Sequence, residues 1–223
     1  EYPSYSVGSV ALDPSNPEVI WLGTGENVSG RHVGWGDGVY RSRDGGTSWE
    51  QVGLAGSQHI GKILVDPRDG NTVLVAAEGP LWNGGGQRGV YRTEDGGTTW
   101  TRTLDLGPDT GATALEFAPG EPGTVYAAAY QRRRHVWSFL AGGPGSGIHK
   151  SEDGGRTFRK ITKGLPKGDV GKIGLAVPPA DPRLVYATIE ADEEERGFYR
   201  SSDRGESWEH RNPYTSCGTG PHY

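Results

Sequence analysis

Short apolar runs recur along the chain at a near-constant interval, and they come in pairs around a proline turn. Runs 10–12 and 19–22 flank Asp13-Pro14; 63–65 and 73–77 flank Asp66-Pro67; 115–117 and 125–129 flank Ala118-Pro119; 173–177 and 184–189 flank Pro178-Pro179. No window shows apolar residues spaced by three and four over three turns, so helices are not expected. The runs read as strands, and their unbroken apolar character predicts inner strands covered on both faces. Downstream of each pair comes a second kind of segment in which polar and apolar residues alternate. It begins at Gly38-Val-Tyr40-Arg, Gly89-Val-Tyr91-Arg, Gly147-Ile-His149-Lys and Gly197-Phe-Tyr199-Arg.

Each of these segments runs into one repeated turn. The four copies are Ser42-Arg-Asp44-Gly-Gly46-Thr-Ser-Trp49, Thr93-Glu-Asp95-Gly-Gly97-Thr-Thr-Trp100, Ser151-Glu-Asp153-Gly-Gly155-Arg-Thr-Phe158 and Ser201-Ser-Asp203-Arg-Gly205-Glu-Ser-Trp208. Their aspartates lie 51, 58 and 50 residues apart. Asp-Gly and Gly-Gly supply the positive φ that a tight hairpin needs. Every repeat therefore reads as four antiparallel strands, A to D, with the proline turn joining A to B and the aspartate turn joining C to D. A four-stranded unit repeated at about 50 residues is a propeller blade. The predicted fold is all-β, a β-propeller segment of four blades at about 6–53, 59–104, 111–162 and 170–212.

The Ser-x-Asp-x-Gly-x-Thr-Trp pattern resembles the Asp-box of bacterial neuraminidase repeats. With Trp21-Leu-Gly-Thr-Gly-Glu26, Gln131-Arg-Arg-Arg-His135 and the proline turns, the chain is most similar to sortilin-type, glycosyl-hydrolase-like propellers of secreted bacterial proteins, over residues 6 to 212. The resemblance implies that Asp44, Asp95, Asp153 and Asp203 cap their own turns, and that Trp49, Trp100, Phe158 and Trp208 pack between adjacent strands. It implies a secreted, periplasmic or cell-surface protein and a ring larger than four blades, completed by further blades or a partner subunit, with 213–223 as the run-in to the next blade. Local bonding of a short carboxylate to the backbone agrees with the capping role, and four equivalent copies point to a scaffold rather than to a site built once. The Phe-Arg-Ile-Pro segment of Asp-box sialidases is absent, which argues against sialidase chemistry.

Loop lengths locate the variable face. From the B run to the turn aspartate the intervals are 24, 22, 28 and 18 residues, whereas from that aspartate to the next proline turn they are 22, 23 and 25. Variation is thus concentrated in the B–C loops, opposite the aspartate turns, at 26–37, 79–88, 130–146 and 191–196. Function is usually carried by such loops on a rigid frame. Trp35, Trp82 and Trp137 fall one in each of the first three, beside Arg31, Arg88, Arg132 and Gln131. Flat aromatics next to such donors suit a glycan or an extended peptide or protein ligand. Packing of the same indoles against loop glycines or between blades is the competing reading. Arg132, Arg133 and Arg134 would hold an anion or pair with Glu193, Glu194 and Glu195 of the next blade.

The alternative function is a glycoside hydrolase, which needs two carboxyls facing each other across the scissile bond. Glu78, Glu190 and Asp169 are the candidates, with Glu78 and Glu190 at equivalent ends of B strands. A third reading is a structural subunit of an extracellular assembly. Composition narrows the rest. The 38 glycines and 15 prolines, set beside seven tryptophans and ten tyrosines, fit many tight turns in a packed structure. A net charge of −5 argues against nucleic acid as a partner, and no apolar run approaches the ~20 residues of a membrane helix. The single Cys217 excludes an intrachain disulfide and a cysteine-rich zinc site. No cofactor motif or metal-ligand spacing is present, so neither is expected. The chain starts at Glu1 and contains no methionine, and it reads as an internal piece or a processed product.

Overall fold

The computed structural model describes residues 6–213, so all but the first residue of the expected run-in at 213–223 lies outside them. Every element among the described residues is a strand. The first sheet holds β1 (Val7–Asp13), β2 (Asn16–Thr24), β3 (Val39–Ser42) and β4 (Glu50–Gly53). The second holds β5 (Ile60–Asp66), β6 (Asp69–Ala77), β7 (Gly89–Thr93) and β8 (Thr101–Leu104). The third is built on β9 (Thr110–Ala118), β10 (Glu121–Arg134), β12 (Gly147–Ser151) and β13 (Arg159–Ile161), and β11 (Phe139–Ala141) pairs with the far end of β10. The fourth holds β14 (Ile173–Ala176), β15 (Val185–Ile189), β16 (Gly197–Ser201) and β17 (Glu209–Asn212). All pairings are antiparallel and, apart from β11, strands follow one another in chain order.

The fifth strand of the third sheet departs from the four-stranded expectation. β10 runs 14 residues, and its end pairs Arg132 with Ala141 and Arg134 with Phe139. The longest B–C loop has therefore folded into a hairpin that continues the sheet upward.

Successive sheets pack face to face, β1 against β5, β5 against β9 and β9 against β14. Each junction has its own apolar cluster. Trp21, Val39 and Leu54 meet Ile63, Val73 and Val75 between the first two sheets. Leu74, Ala76 and Val90 meet Leu115, Val125 and Ala127 at the second junction. Tyr126, Ala128 and Ile148 meet Ile173, Val185 and Tyr199 at the third. The apolar runs on A and B are thus explained: each inner strand has a sheet on either side of it, except at the two ends of the row.

The four aspartate turns share one hydrogen-bond set. Ser42 Oγ donates to Asp44 Oδ1 at 2.8 Å and accepts from Gly46 N at 2.8 Å, while Ser48 donates its amide (2.8 Å) and hydroxyl (2.6 Å) to the same carboxylate. Thr93, Asp95 and Thr99 repeat the set, as do Ser151, Asp153 and Thr157, and Ser201, Asp203 and Ser207. The second glycine of the turn is fixed twice over. Gly97, Gly155 and Gly205 have φ of 91°, 81° and 80°. A Cβ on them would also meet the preceding sheet, at Val52 and Trp21, at Leu74 and at Tyr126. The first position is less demanding, since Arg204 adopts a φ of 60° there.

Asp153→Ala leaves the amides of Arg156 and Thr157 without their acceptor and should cost about 1–3 kcal/mol. Thermal melts of the two proteins measure this, with Asp153→Asn, which keeps one acceptor oxygen, falling between them. A melting temperature unchanged by the alanine would show that the turn does not need its carboxylate.

Candidate functional site

The loops opposite the aspartate turns do not stand apart from one another; they interlock into one upper layer. Its centre is a charge pair between Arg132, on the upward extension of β10, and Glu78, which follows β6. Arg132 Nη2 lies 2.8 Å from Glu78 Oε2, and both side chains are 1% exposed. The approach is poorly aligned for hydrogen bonding, and neither Glu78 oxygen has a well-placed donor. Burial pushes the Glu78 carboxyl up from its usual range, against the pull of Arg132, Lys172 and Arg88. The free side of Arg132 reaches the first loop, where Nη1 donates to Val28 O (2.9 Å) and Ser29 Oγ (3.2 Å). Arg134 Nε donates to Ser29 O at 3.1 Å, and its guanidinium lies 4.5 Å from the Phe139 ring centroid.

The first loop is laid across the row of sheets. Asn27 Nδ2 donates to Gly61 O of the second sheet at 3.4 Å. From the fourth sheet, Lys172 Nζ donates to Asn27 O and Oδ1, both at 3.1 Å. Below it, His59 Nδ1 is 3.0 Å from Glu26 O; a carbonyl only accepts, so Nδ1 carries the proton. The second loop is tied by Arg88, whose guanidinium donates to the carbonyls of Gly85, Glu78, Pro80 and Asn83.

These contacts sort the sequence candidates. Arg88 and Arg132 are buried and bonded within the protein, so neither presents a donor to solvent. Glu78 is buried in the same way, against Arg132 of the third sheet and beneath Arg88 of its own loop. Gln131 Oε1 accepts from Gly145 N at 2.9 Å and holds the return of the third loop. Arg31 is exposed. Trp35, Trp82 and Trp137 are 67%, 41% and 92% exposed, with Trp137 in the connection between β10 and β11. Glu190 is exposed and accepts from Lys172 N at 3.0 Å. The expected pairing of the three arginines with Glu193–Glu195 does not occur. Arg133 pairs with Asp109 at 3.6 Å, Glu193 pairs with Arg196 at 3.6 Å, and Glu195 accepts from the amides of Lys167 and Gly168. The arginines are drawn toward the first and second loops, away from the fourth sheet.

Asp169 opens on a feature that the loop-length reasoning passed over. Between the third and fourth sheets lies a cavity of about 350 Å³ floored by Ile148, Ile161, Val170, Ile173 and Ile189 and rimmed by Lys160, Lys167 and Asp169. That size is in the range of small-molecule sites, roughly 300–1,000 Å³. Its wall is the 162–170 connection, a D–A loop on the same face as the B–C loops. The sequence signal was present, since the aspartate-to-proline interval is longest there, 25 residues from Asp153 to Pro178.

No protein-family model matches the chain. It is 27% identical over 202 residues to a xyloglucanase of Paenibacillus sp., an alignment that covers 90% of this chain and 16% of that protein. It is 30% identical to xyloglucanase Xgh74A of Acetivibrio thermocellus, covering 93% of the chain and 25% of that protein. Among solved structures, an ancestral GH74 enzyme superposes with a TM-score of 0.68 at 18% identity, over 94% of this chain and 24% of that one. The chain spans between a sixth and a quarter of the length of these curated relatives. Its fold is a β-propeller segment.

Two kinds of outcome follow, one from the buried charge pair and one from the response to acid. Arg132→Met strands a buried carboxylate and should destabilise by about 3–5 kcal/mol, whereas adding Glu78→Leu should restore most of the loss; denaturant titrations of the single and double variants decide it. The second concerns acid. Burial first, then Arg132, hold His59 at about 4, and burial with Lys160 does the same to His149. Both are neutral in the fold, so their contribution is complete above about pH 6.5 and is lost as pH falls toward 4, where the unfolded chain alone takes up protons. A second loss belongs to the turns. Donors from Ser48 and Thr99 hold Asp44 and Asp95 at about 2. At Asp153 and Asp203 burial pushes upward, yet the equivalent donors outweigh it, again to about 2. That stability is complete above about pH 4 and disappears toward pH 2. Melting temperature against pH should fall in both windows, and His59→Gln with His149→Gln should flatten only the upper one.

Proposed function

We propose that this chain is the blade segment of a glycoside hydrolase acting on a xyloglucan-type polysaccharide, and that its own part is to hold the glycan on the B–C loop face. The observation that carries the reading is the alignment of nine-tenths of the chain with two xyloglucanases. The exposed indoles of Trp35, Trp82 and Trp137 support it, because apolar faces held open to water on adjacent loops suit sugar rings. Arg31 is the flanking donor still free to meet a ligand. Of the carboxylate candidates, Glu190 and Asp169 face solvent and Glu78 does not. A two-carboxylate mechanism drawn from this segment would therefore use Glu190 and Asp169, or one of them with a partner from elsewhere in the enzyme.

In this reading Asp44, Asp95, Asp153 and Asp203 are Asp-box residues that belong to the frame, with Trp49, Trp100, Phe158 and Trp208 packed beside them. Four identical bond sets support that assignment. The blades run at about 6–53, 59–104, 111–162 and 170–212, and a polysaccharide substrate would fit a secreted, periplasmic or cell-surface protein.

The test is titration calorimetry with xyloglucan oligosaccharides, with unbranched β-glucan oligosaccharides and a peptide library as comparisons. Xyloglucan should bind best, and Trp137→Ala or Trp82→Ala should weaken it at least about tenfold. Binding of peptides alone, or glycan binding indifferent to all three indoles, overturns the proposal. Release of reducing sugar that Glu190→Gln or Asp169→Asn abolishes would assign the chemistry to this segment.

A further inference from the structure

The junction between the third and fourth sheets differs from the other two in how the chain leaves the D strand. Residues 54–59 connect β4 to β5 at the first junction, and residues 105–109 connect β8 to β9 at the second. At the third the connection is the longer 162–172. The register shift that the other three sheets carry between C and D is also missing there. Ile148, His149 and Lys150 pair with Ile161, Lys160 and Arg159 in unbroken order. The long connection is pinned at three places. Trp208 N donates to Lys163 O at 3.0 Å, and Gly143 N donates to Val170 O at 3.2 Å. Between these points the Glu195 carboxylate accepts from the amides of Lys167 and Gly168 at 3.1 to 3.3 Å. The anchors make this segment a fixed wall of the cavity of about 350 Å³, a preformed space of the kind that small molecules occupy.

The floor of the cavity is branched and aliphatic: Ile148, Ile161, Val170, Ile173 and Ile189 are all buried. The rim is charged. Lys160 Nζ is already spent on Pro144 O, at 2.9 Å. Lys167 and Asp169 are exposed and stand two residues apart on the pinned segment. Neither the Lys167 ammonium nor the Asp169 carboxylate has a partner among the described residues, and the two do not pair with each other. An apolar floor is thus bordered by one free cation and one free anion.

We propose that this cavity binds a free α-amino acid with an apolar side chain. Its side chain lies on the isoleucine floor, its carboxylate meets Lys167 and its ammonium meets Asp169. Charge selects this ligand. A simple anion would sit beside the Asp169 carboxylate and a simple cation beside the Lys167 ammonium, whereas a zwitterion is attracted to both. Burial of the side chain supplies affinity, and two charge-assisted bonds fix its orientation. Asp169 then serves binding, and the glycan reading keeps Glu190 with a partner from elsewhere in the enzyme.

Titration calorimetry with L-leucine tests this, beside leucinamide, which lacks the carboxylate, and 4-methylpentanoate, which lacks the ammonium. Leucine should bind at one site, at least about tenfold more tightly than either comparison compound. Lys167→Met should weaken leucine at least about tenfold without weakening leucinamide, and Asp169→Asn should do so without weakening 4-methylpentanoate. Both side chains are exposed, so both variants should melt like the parent. Absence of saturation at about 10 mM leucine overturns the proposal. Leucinamide binding as tightly as leucine also overturns it, and gives the cavity to the amino end of a peptide. Leucine binding that is indifferent to both substitutions overturns it equally, because the ligand then sits elsewhere.

Discussion

The inner strands of these sheets are apolar on both faces, and a sheet built on such strands has no stable state alone in water. Its burial must come from a neighbour, and the neighbour must approach closely along the whole strand. That requirement explains why the repeated turn ends in glycine: at Gly97, Gly155 and Gly205 the preceding sheet occupies the space a side chain would fill. The Asp-Gly-Gly turn therefore serves two levels of structure. It reverses the chain between C and D, and it offers a bare backbone surface with an outward carbonyl to the sheet before it.

The upper layer obeys a different constraint. Loops cannot bury backbone polar groups without partners, and here long cations supply them. Arg88 satisfies four carbonyls of its own loop, and Arg132 and Arg134 satisfy those of the first loop from the third sheet. Arginine suits this work because its planar fork offers five donors in fixed directions. The consequence for function is a division between residues that hold the loops and those left outward, chiefly the three indoles and Arg31.

How much of this could be read from the chain differs between the two levels. The sheets were legible because they follow from local chemistry, namely aspartate spacings of 51, 58 and 50 residues, turn glycines and paired apolar runs. The upper layer was not, because its partners are remote: Arg132 and Val28 stand 104 residues apart. Charged residues in loops do not all face water here: Arg88 is enclosed by its own loop, and Glu78 and Arg132 are buried against each other. A clue was available in the run from Gln131 to Arg134. Arg132 and Arg134 are buried and Arg133 between them is half-buried, the period of two expected of a strand. Reading those arginines as strand would have placed two of them inward and called for a buried acid.

The strap formed by the first loop changes what kind of repeat protein this is. In an ordinary array each unit touches only its two neighbours, and stability is close to a sum of unit and interface terms along a line. Here Asn27 is bonded to Lys172 of the fourth sheet, and Val28 and Ser29 to Arg132 and Arg134 of the third. The first unit is thereby wired to units it does not adjoin. Fraying from the end of the row must break contacts held by sheets two and three places away, so the segment behaves as one cooperative block rather than as four dominoes.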